Sequence, residues 1–147
     1  MDVLILRDPR ESARKCSLFP LRGTAGIDLQ SWRFDRRYAV GRRILLHPDG
    51  ELLSSSDAGR GVLLLDCAWR RLPQMLASLD GEPLPRRLPR LVTAYPRRSK
   101  LFEDPSGGLS SVEALYAALA ILGERPVQLL AHYRWREQFL AANPQLA

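Results

Sequence analysis

Apolar and polar positions alternate in two different ways along the chain, and the difference marks elements of different kinds. Val3 to Leu6 is a short run of aliphatic residues, the pattern of a strand. A polar turn and a short helical piece near Ala13 to Phe19 are expected after it. Further on, RYAVGRRILLHPDGELL predicts two strands, around Tyr38 to Val40 and Arg43 to His47, ended by the turn-forming Pro48-Asp49-Gly50. SSSDAGRG reads as a loop or a short helix start. Gly61 to Leu65 is a continuous apolar run between turn signals, which predicts a strand covered on both faces.

The second half has helical spacing. Trp69 to Leu79 predicts a helix with Pro73 in its first turn. The proline-rich stretch from Gly81 to Gly108 is expected to be extended or looped, with a short strand near Leu91 to Ala94. Ser110 stands three residues before Glu113, the capping-box spacing, and Leu115, Ala118, Leu119 and Leu122 then share one face up to Gly123. Pro126 opens a last predicted helix through Leu129, Leu130 and Tyr133 toward Trp135, Phe139 and Leu140. The sum is an α/β protein with strands mainly in front and helices behind.

Composition adds three constraints. With 147 residues, 46% hydrophobic and 26% charged, the chain suits a single domain. No run approaches the roughly 18–20 apolar residues of a membrane helix. The opening MDVLILRDPRESARK lacks the features of a signal peptide, so a cytoplasmic protein is expected. Cys16 and Cys67 are the only cysteines and sit in no metal-ligand spacing, so no metal is expected and both read as buried small hydrophobes.

Charge points outward to a partner. The net charge is +6, and every strong base except Lys15 and Lys100 is arginine. Codon bias of a GC-rich genome is one explanation. Arginine doublets along the chain also suit phosphate, which the planar guanidinium binds through two donors. Nucleic acid becomes the favoured partner class without being established.

Candidate chemistry gathers at one strand end, where the aliphatic run 61–65 delivers Asp66, Cys67 and Trp69. Ligands of open α/β sheets bind beyond the carboxyl ends of strands. The amides at Ser110 and Ser111, at a helix start, suit a carboxylate. Trp69 suits a flat heterocycle or a cation such as a sulfonium. S-adenosylmethionine combines all three groups. Plainer readings stand beside these: Asp66 caps a helix beginning at Cys67, Trp69 packs between helices, Ser110 and Ser111 only cap, and Gly107-Gly108 is a turn. His47 and His132 read as turn and surface residues. Walker, GxGxxG, GxSxG and HExxH motifs do not occur.

Six blocks in order then carry a resemblance: KCS (15–17), LLHPDGELLSSSD (45–57), LLLDCAW (63–69), RRLPRLVTAYP (86–96), LSSVEALYAALAILG (109–123) and YRWREQFLAANPQL (133–146). Together they resemble the small-subunit rRNA aminocarboxypropyltransferases of archaea and eukaryotes, ribosome-biogenesis enzymes. The resemblance implies a SPOUT-like fold with a C-terminal trefoil knot, an N-terminal mostly β part (1–94) and a C-terminal helical part (95–147) in one unit. It also implies S-adenosylmethionine as cofactor, transfer of its 3-amino-3-carboxypropyl group to a uridine or modified pseudouridine of small-subunit rRNA, and a monomer.

Position by position, the resemblance gives Ser17 and Ser111 to the cofactor carboxylate, and Leu46, Pro48, Leu109 and Ala114 to apolar contact with the adenine. Leu88 contributes a backbone amide to the adenine ring, Leu65 a carbonyl to the ribose and Gly107 a carbonyl to the adenine amino group. Trp69 packs on the adenine and the methyl group, so that the aminocarboxypropyl carbon is left facing RNA. Asp66 is the catalytic candidate, orienting the cofactor's amino group or, less favoured because an ordinary carboxylate is a weak base, accepting the proton of the base nitrogen. Arg14, Lys15, Arg97, Arg98 and Lys100 are assigned to RNA docking, beside the plainer reading of a solvated surface. The loop before the capped helix, YPRRSKLFEDPSGG, is longer than the family's. The DTW-domain tRNA aminocarboxypropyltransferases are similar more distantly and make tRNA the second expectation. A cofactor-free RNA-binding assembly factor is the expectation from another class.

Overall fold

The computed structural model describes residues 1–10, 18–94, 109–124 and 126–146. Its strands are β1 (Val3–Arg7), β2 (Ile27–Ser31), β3 (Tyr38–Gly41), β4 (Ile44–Leu52), β5 (Val62–Asp66), β6 (Leu79–Gly81) and β7 (Leu84–Arg87). Five of them form one sheet in the order β2-β1-β5-β4-β7, and every neighbouring pair is parallel. β3 and β6 form a second, two-stranded parallel ribbon. Three helices complete the described architecture: α1 (Leu72–Ala77), α2 (Ser111–Ile121) and α3 (Arg136–Ala142).

The apolar run at 61–65 is explained by its place. β5 is the middle strand, and successive side chains enter different cores. Val62 and Leu64 join Val3, Ile5 and Ile44 beneath α2 and α3, where Leu115, Leu119 and Phe139 are buried. Leu63 and Leu65 join Leu4, Leu6 and Leu45 on the other face, against Trp32, Tyr38, Val40 and Met75. Each such aliphatic side chain contributes about 1.5–3 kcal/mol on burial, so a strand covered twice needs no polar alternation. The first core takes residues from both the strand-rich front and the helical back of the chain.

Several expectations change. The strand expected to stop at Pro48-Asp49-Gly50 continues to Leu52. Leu46 and Glu51 both pair with Arg86 of β7, so 47–50 form a bulge instead of a terminating turn. The Asp49 amide donates to His47 Nδ1 across 3.1 Å inside it, and a Cβ on Gly50 would collide with the backbone of Pro85 and Arg86. The strand expected near 91–94 is not formed, while an unforeseen strand, β7, stands just upstream. β2 was also unforeseen: its edge position leaves IDLQS with mixed polarity and a weak signal.

Two predicted helices are broken. Trp69–Arg71 is a 3-10 turn leading into α1, which carries Pro73 in its first turn and yields to β6 at Leu79. The last predicted helix divides into a 3-10 turn, Val127–Leu130, and α3. Turn hydrogen bonds from the Tyr133 amide to the Leu130 carbonyl (3.0 Å) and from the Arg136 amide to the Tyr133 carbonyl (3.3 Å) separate them. This break lets buried Tyr133 receive a hydrogen bond from the Ser110 hydroxyl (3.3 Å) at the start of α2. The capping box of α2 forms as its spacing predicts, with the Glu113 amide donating to Ser110 Oγ and the Ser110 amide donating to the Glu113 carboxylate. The short helical piece near Ala13 to Phe19 falls largely outside the described residues, which next show a 3-10 turn at Phe19–Leu21.

Candidate functional site

Parallel strands end together, and here the carboxyl end of β5, the bulge in β4 and the exit of β7 leave a cleft of about 440 Å³. That volume lies within the roughly 300–1,000 Å³ of pockets that hold small ligands. β4 contributes Leu46, His47 and Pro48; β5 and the residue after it contribute Leu64, Leu65, Asp66 and Cys67. The far wall is the segment 88–91, and the start of α2 closes the cleft with Leu109, Ser111 and Ala114.

Asp66 is the centre of its polar end. The Ser111 hydroxyl donates to the Asp66 carboxylate across 2.7 Å, bridging residues on β5 and α2. Buried Arg7, the register partner of Asp66 on β1, brings its Nε within 4.0 Å of the same carboxylate. The capping reading of Asp66 is corrected by this geometry. The turn after β5 has Ala68 as its N-cap and no side-chain cap, so the carboxylate faces α2 instead.

The segment that follows this wall, 92–94, is held by two buried polar side chains. Glu113 is fully buried, and its carboxylate accepts from the Thr93 hydroxyl (2.6 Å), the Ala94 amide (2.9 Å) and the Ser110 amide (2.9 Å). Asn143, just past α3, accepts from the Val92 amide (2.8 Å) and donates to the Val92 carbonyl (2.7 Å) and the Phe139 carbonyl (2.8 Å). These side chains take hydrogen bonds that a neighbouring strand would otherwise make, which is why 91–94 does not join the sheet. From the other side, Arg86 Nε lies 3.2 Å from the Asp57 carboxylate and ties β7 to the β4–β5 connection.

Eight residues expected at the site, Leu46, Pro48, Leu65, Asp66, Leu88, Leu109, Ser111 and Ala114, meet at this one cleft although they come from four separated stretches. Trp69 is not among its lining residues: it stands on the following 3-10 turn with 52% of its surface exposed. Ser17, Gly107, Arg14, Lys15, Arg97, Arg98 and Lys100 lie outside the described residues. Cys67, read as buried, is half-buried and lines the cleft, as do His47 and Arg90. His47 was read as a turn residue because the bulge that turns it inward follows from the register with β7, which local sequence does not show. Among the described residues no cluster of three or more His, Cys, Asp or Glu side chains is arranged to hold a metal ion, and no helix is long and apolar enough to cross a membrane.

A parallel sheet with a cleft and one carboxylate at its strand ends places the chain among the open-sheet α/β proteins. Residues 43–147 match the family described as ribosome biogenesis protein, C-terminal, and the chain belongs to that family. It is 33% identical over 101 residues to the 16S rRNA aminocarboxypropyltransferase of Vulcanisaeta distributa, covering 67% of this chain and 51% of that one. Over 88 residues it is 33% identical to the 18S rRNA aminocarboxypropyltransferase of Saccharomyces cerevisiae, covering 58% of this chain and 27% of that one. The chain thus matches about half, or less, of these relatives' lengths. The solved structure of the SAM-dependent rRNA:acp-transferase Tsr3 from Vulcanisaeta distributa superimposes with a TM-score of 0.75 and 28% identity, over 98% of this chain and 79% of that chain.

Proposed function

We propose that the chain binds S-adenosylmethionine in the cleft at Asp66 and transfers its 3-amino-3-carboxypropyl group to a uridine or modified pseudouridine of small-subunit rRNA in ribosome biogenesis. The observation that carries this reading is the convergence of Leu46, Pro48, Leu65, Asp66, Leu88, Leu109, Ser111 and Ala114 on one cleft. Relatives named as 16S and 18S rRNA aminocarboxypropyltransferases support it.

The residues present fit the ligand. Leu46, Pro48, Leu88, Leu109 and Ala114 supply apolar walls for the adenine. Ser111, in the first turn of α2, suits the ligand carboxylate. Asp66, held by Ser111 and near Arg7, is placed to orient the ligand ammonium. The ligand would supply an activated carbon at its sulfonium: the base nitrogen would form the new N–C bond, the sulfur would leave with the bonding pair as a neutral thioether, and the proton of the base nitrogen would pass to solvent water. Ser17 and Gly107 are assigned to the ligand as well, and Trp69 to the methyl side of the sulfonium by folding its indole over the cleft mouth. Arg14, Lys15, Arg97, Arg98 and Lys100 are assigned to the RNA phosphates.

The finer features of the fold belong to the same proposal: a SPOUT-like unit spanning 1–147, with a C-terminal trefoil knot, acting as a monomer in the cytoplasm. The all-parallel sheet and the fastening of 92–94 between α2 and α3 support it. Light scattering of the purified chain at the mass of a dimer would remove the monomer, and an experimental backbone trace without threading would remove the knot.

The acceptor is tested by incubating the protein with carboxyl-labelled S-adenosylmethionine and total RNA, then sizing the labelled species. Label in small-subunit rRNA is expected. Label in tRNA would transfer the activity to the other acceptor class, and unlabelled RNA with no calorimetric binding of S-adenosylmethionine would make the protein a cofactor-free assembly factor.

A further inference from the structure

A second concavity, of about 380 Å³, opens at the same end of the sheet. Pro9 and Arg10 after β1, residues 32–35 after β2 and Gln74 on α1 surround it. Phe34 stands there with 83% of its surface exposed. Its loop is anchored on both sides. Trp32 Nε1 donates to Ser78 Oγ (2.9 Å), the Arg33 amide donates to the Tyr38 hydroxyl (2.8 Å), and the Arg36 amide donates to the Arg33 carbonyl (3.2 Å). Trp32 and Tyr38 are buried on either side of a phenylalanine that the loop holds out.

Arginines stand along the loop that carries that ring, two of them paired with carboxylates. Arg33 pairs with Asp35 (3.2 Å) and Arg37 with Asp80 (2.8 Å), and hydrogen bonds from these arginines hold both carboxyls below their ordinary range. Each pair fixes the position of its guanidinium group. Arg36, laid over the Tyr38 ring at 5.4 Å, adds positive charge. The concavity is lined by Pro9, Trp32 and Phe34 as an apolar floor, with Arg10 and Arg33 at its edge. That is the makeup of a platform for unpaired nucleic acid, where a base stacks on the ring and guanidinium groups meet the phosphates. Among the described side chains, Phe34 and Trp69 are the exposed aromatics, and both lie at the carboxyl end of the sheet. β2 is two strands from β5, about 10 Å at the usual strand spacing, so the loops after both strands leave the same end of the sheet.

We propose that Phe34 stacks an unpaired base flanking the acceptor nucleotide, with Arg33, Arg36 and Arg37 receiving the adjoining phosphates. The inference rests on the RNA-modifying reading and adds to it a docking surface outside the 43–147 span that the family match covers.

Fluorescence anisotropy tests it, using a labelled small-subunit rRNA hairpin with a uridine-containing loop and the full chain, with calorimetry of S-adenosylmethionine in parallel. Phe34→Ala should weaken hairpin binding about five- to a hundredfold, the usual effect of losing one base stack. Phe34→Trp should retain it, and both variants should bind S-adenosylmethionine as the unaltered protein does. Equal hairpin affinity for Phe34→Ala and the unaltered chain overturns the docking surface alone. Unaltered protein that binds S-adenosylmethionine but not the hairpin overturns the RNA reading together with it. Phe34→Ala that loses a protein partner while its RNA affinity stands assigns the surface to protein and also overturns the proposal.

Discussion

The Ser111 hydroxyl donates a 2.7 Å hydrogen bond to the Asp66 carboxylate, fastening the first turn of α2 to the carboxyl end of the central strand. Asp66→Asn retains an oxygen that accepts from Ser111 but removes the charge. The transfer rate should fall about a hundredfold or more, the range of a lost general-base or charge-orienting group, and the melting temperature should fall as well, because buried Arg7 loses the charge beside it. Unchanged turnover would remove Asp66 from the chemistry.

Ser111→Ala removes the hydroxyl without disturbing Ser110, which does the capping. Loss of one hydrogen bond of about 1 kcal/mol should weaken S-adenosylmethionine binding about fivefold. Calorimetry reads this directly, and an undiminished affinity would show that the Ser111–Asp66 bond does not position the ligand.

Glu113 satisfies three donors from a fully buried position. Glu113→Ala leaves the Thr93 hydroxyl and the amides of Ala94 and Ser110 without that acceptor, and should destabilise the fold by about 3 kcal/mol or more in urea unfolding. Glu113→Gln keeps one accepting oxygen and should fall between. Both should weaken ligand binding, because the segment that follows the wall 88–91 loses its anchor.

Asn143 closes both backbone groups of Val92. Asn143→Ala should cost about 1–3 kcal/mol and raise hydrogen exchange at the Val92 amide, with little change at Leu64 in the central strand. Equal protection at Val92 in both proteins would contradict its positioning role.

Arg86 and Asp57 fix β7 against the β4–β5 connection, with side chains 18% and 9% exposed. Arg86→Ala leaves the Asp57 carboxylate buried without its cation and should cost about 3 kcal/mol. A double-mutant cycle should give a coupling of about 0.5–3 kcal/mol, and a value near zero would remove the pair from the architecture.

The elements legible in the sequence are those whose signal is local. Val62 to Leu65 are aliphatic because both faces of β5 are covered, and the Ser110–Glu113 spacing encodes the start of α2. The positions quoted for the resemblance located the cleft, since its walls come from those blocks. What stayed hidden depends on partners distant in sequence. The bulge at 47–50 exists because Leu46 and Glu51 share Arg86, and 91–94 is no strand because Glu113 and Asn143 take its hydrogen bonds. Ser110–Glu113 announced a cap but not that the same carboxylate reaches Thr93. Trp69, expected against the ligand, stands on an exposed turn, where neither its type nor its spacing foretold its direction.

The group that moves is decided by which carbon of the sulfonium faces the acceptor, so parallel reactions with methyl-labelled and carboxyl-labelled S-adenosylmethionine and small-subunit RNA test the account most directly. The account predicts that the carboxyl label enters the RNA and the methyl label does not. Methyl label in the RNA would show that the cleft presents the other carbon, and the proposed reaction would be wrong.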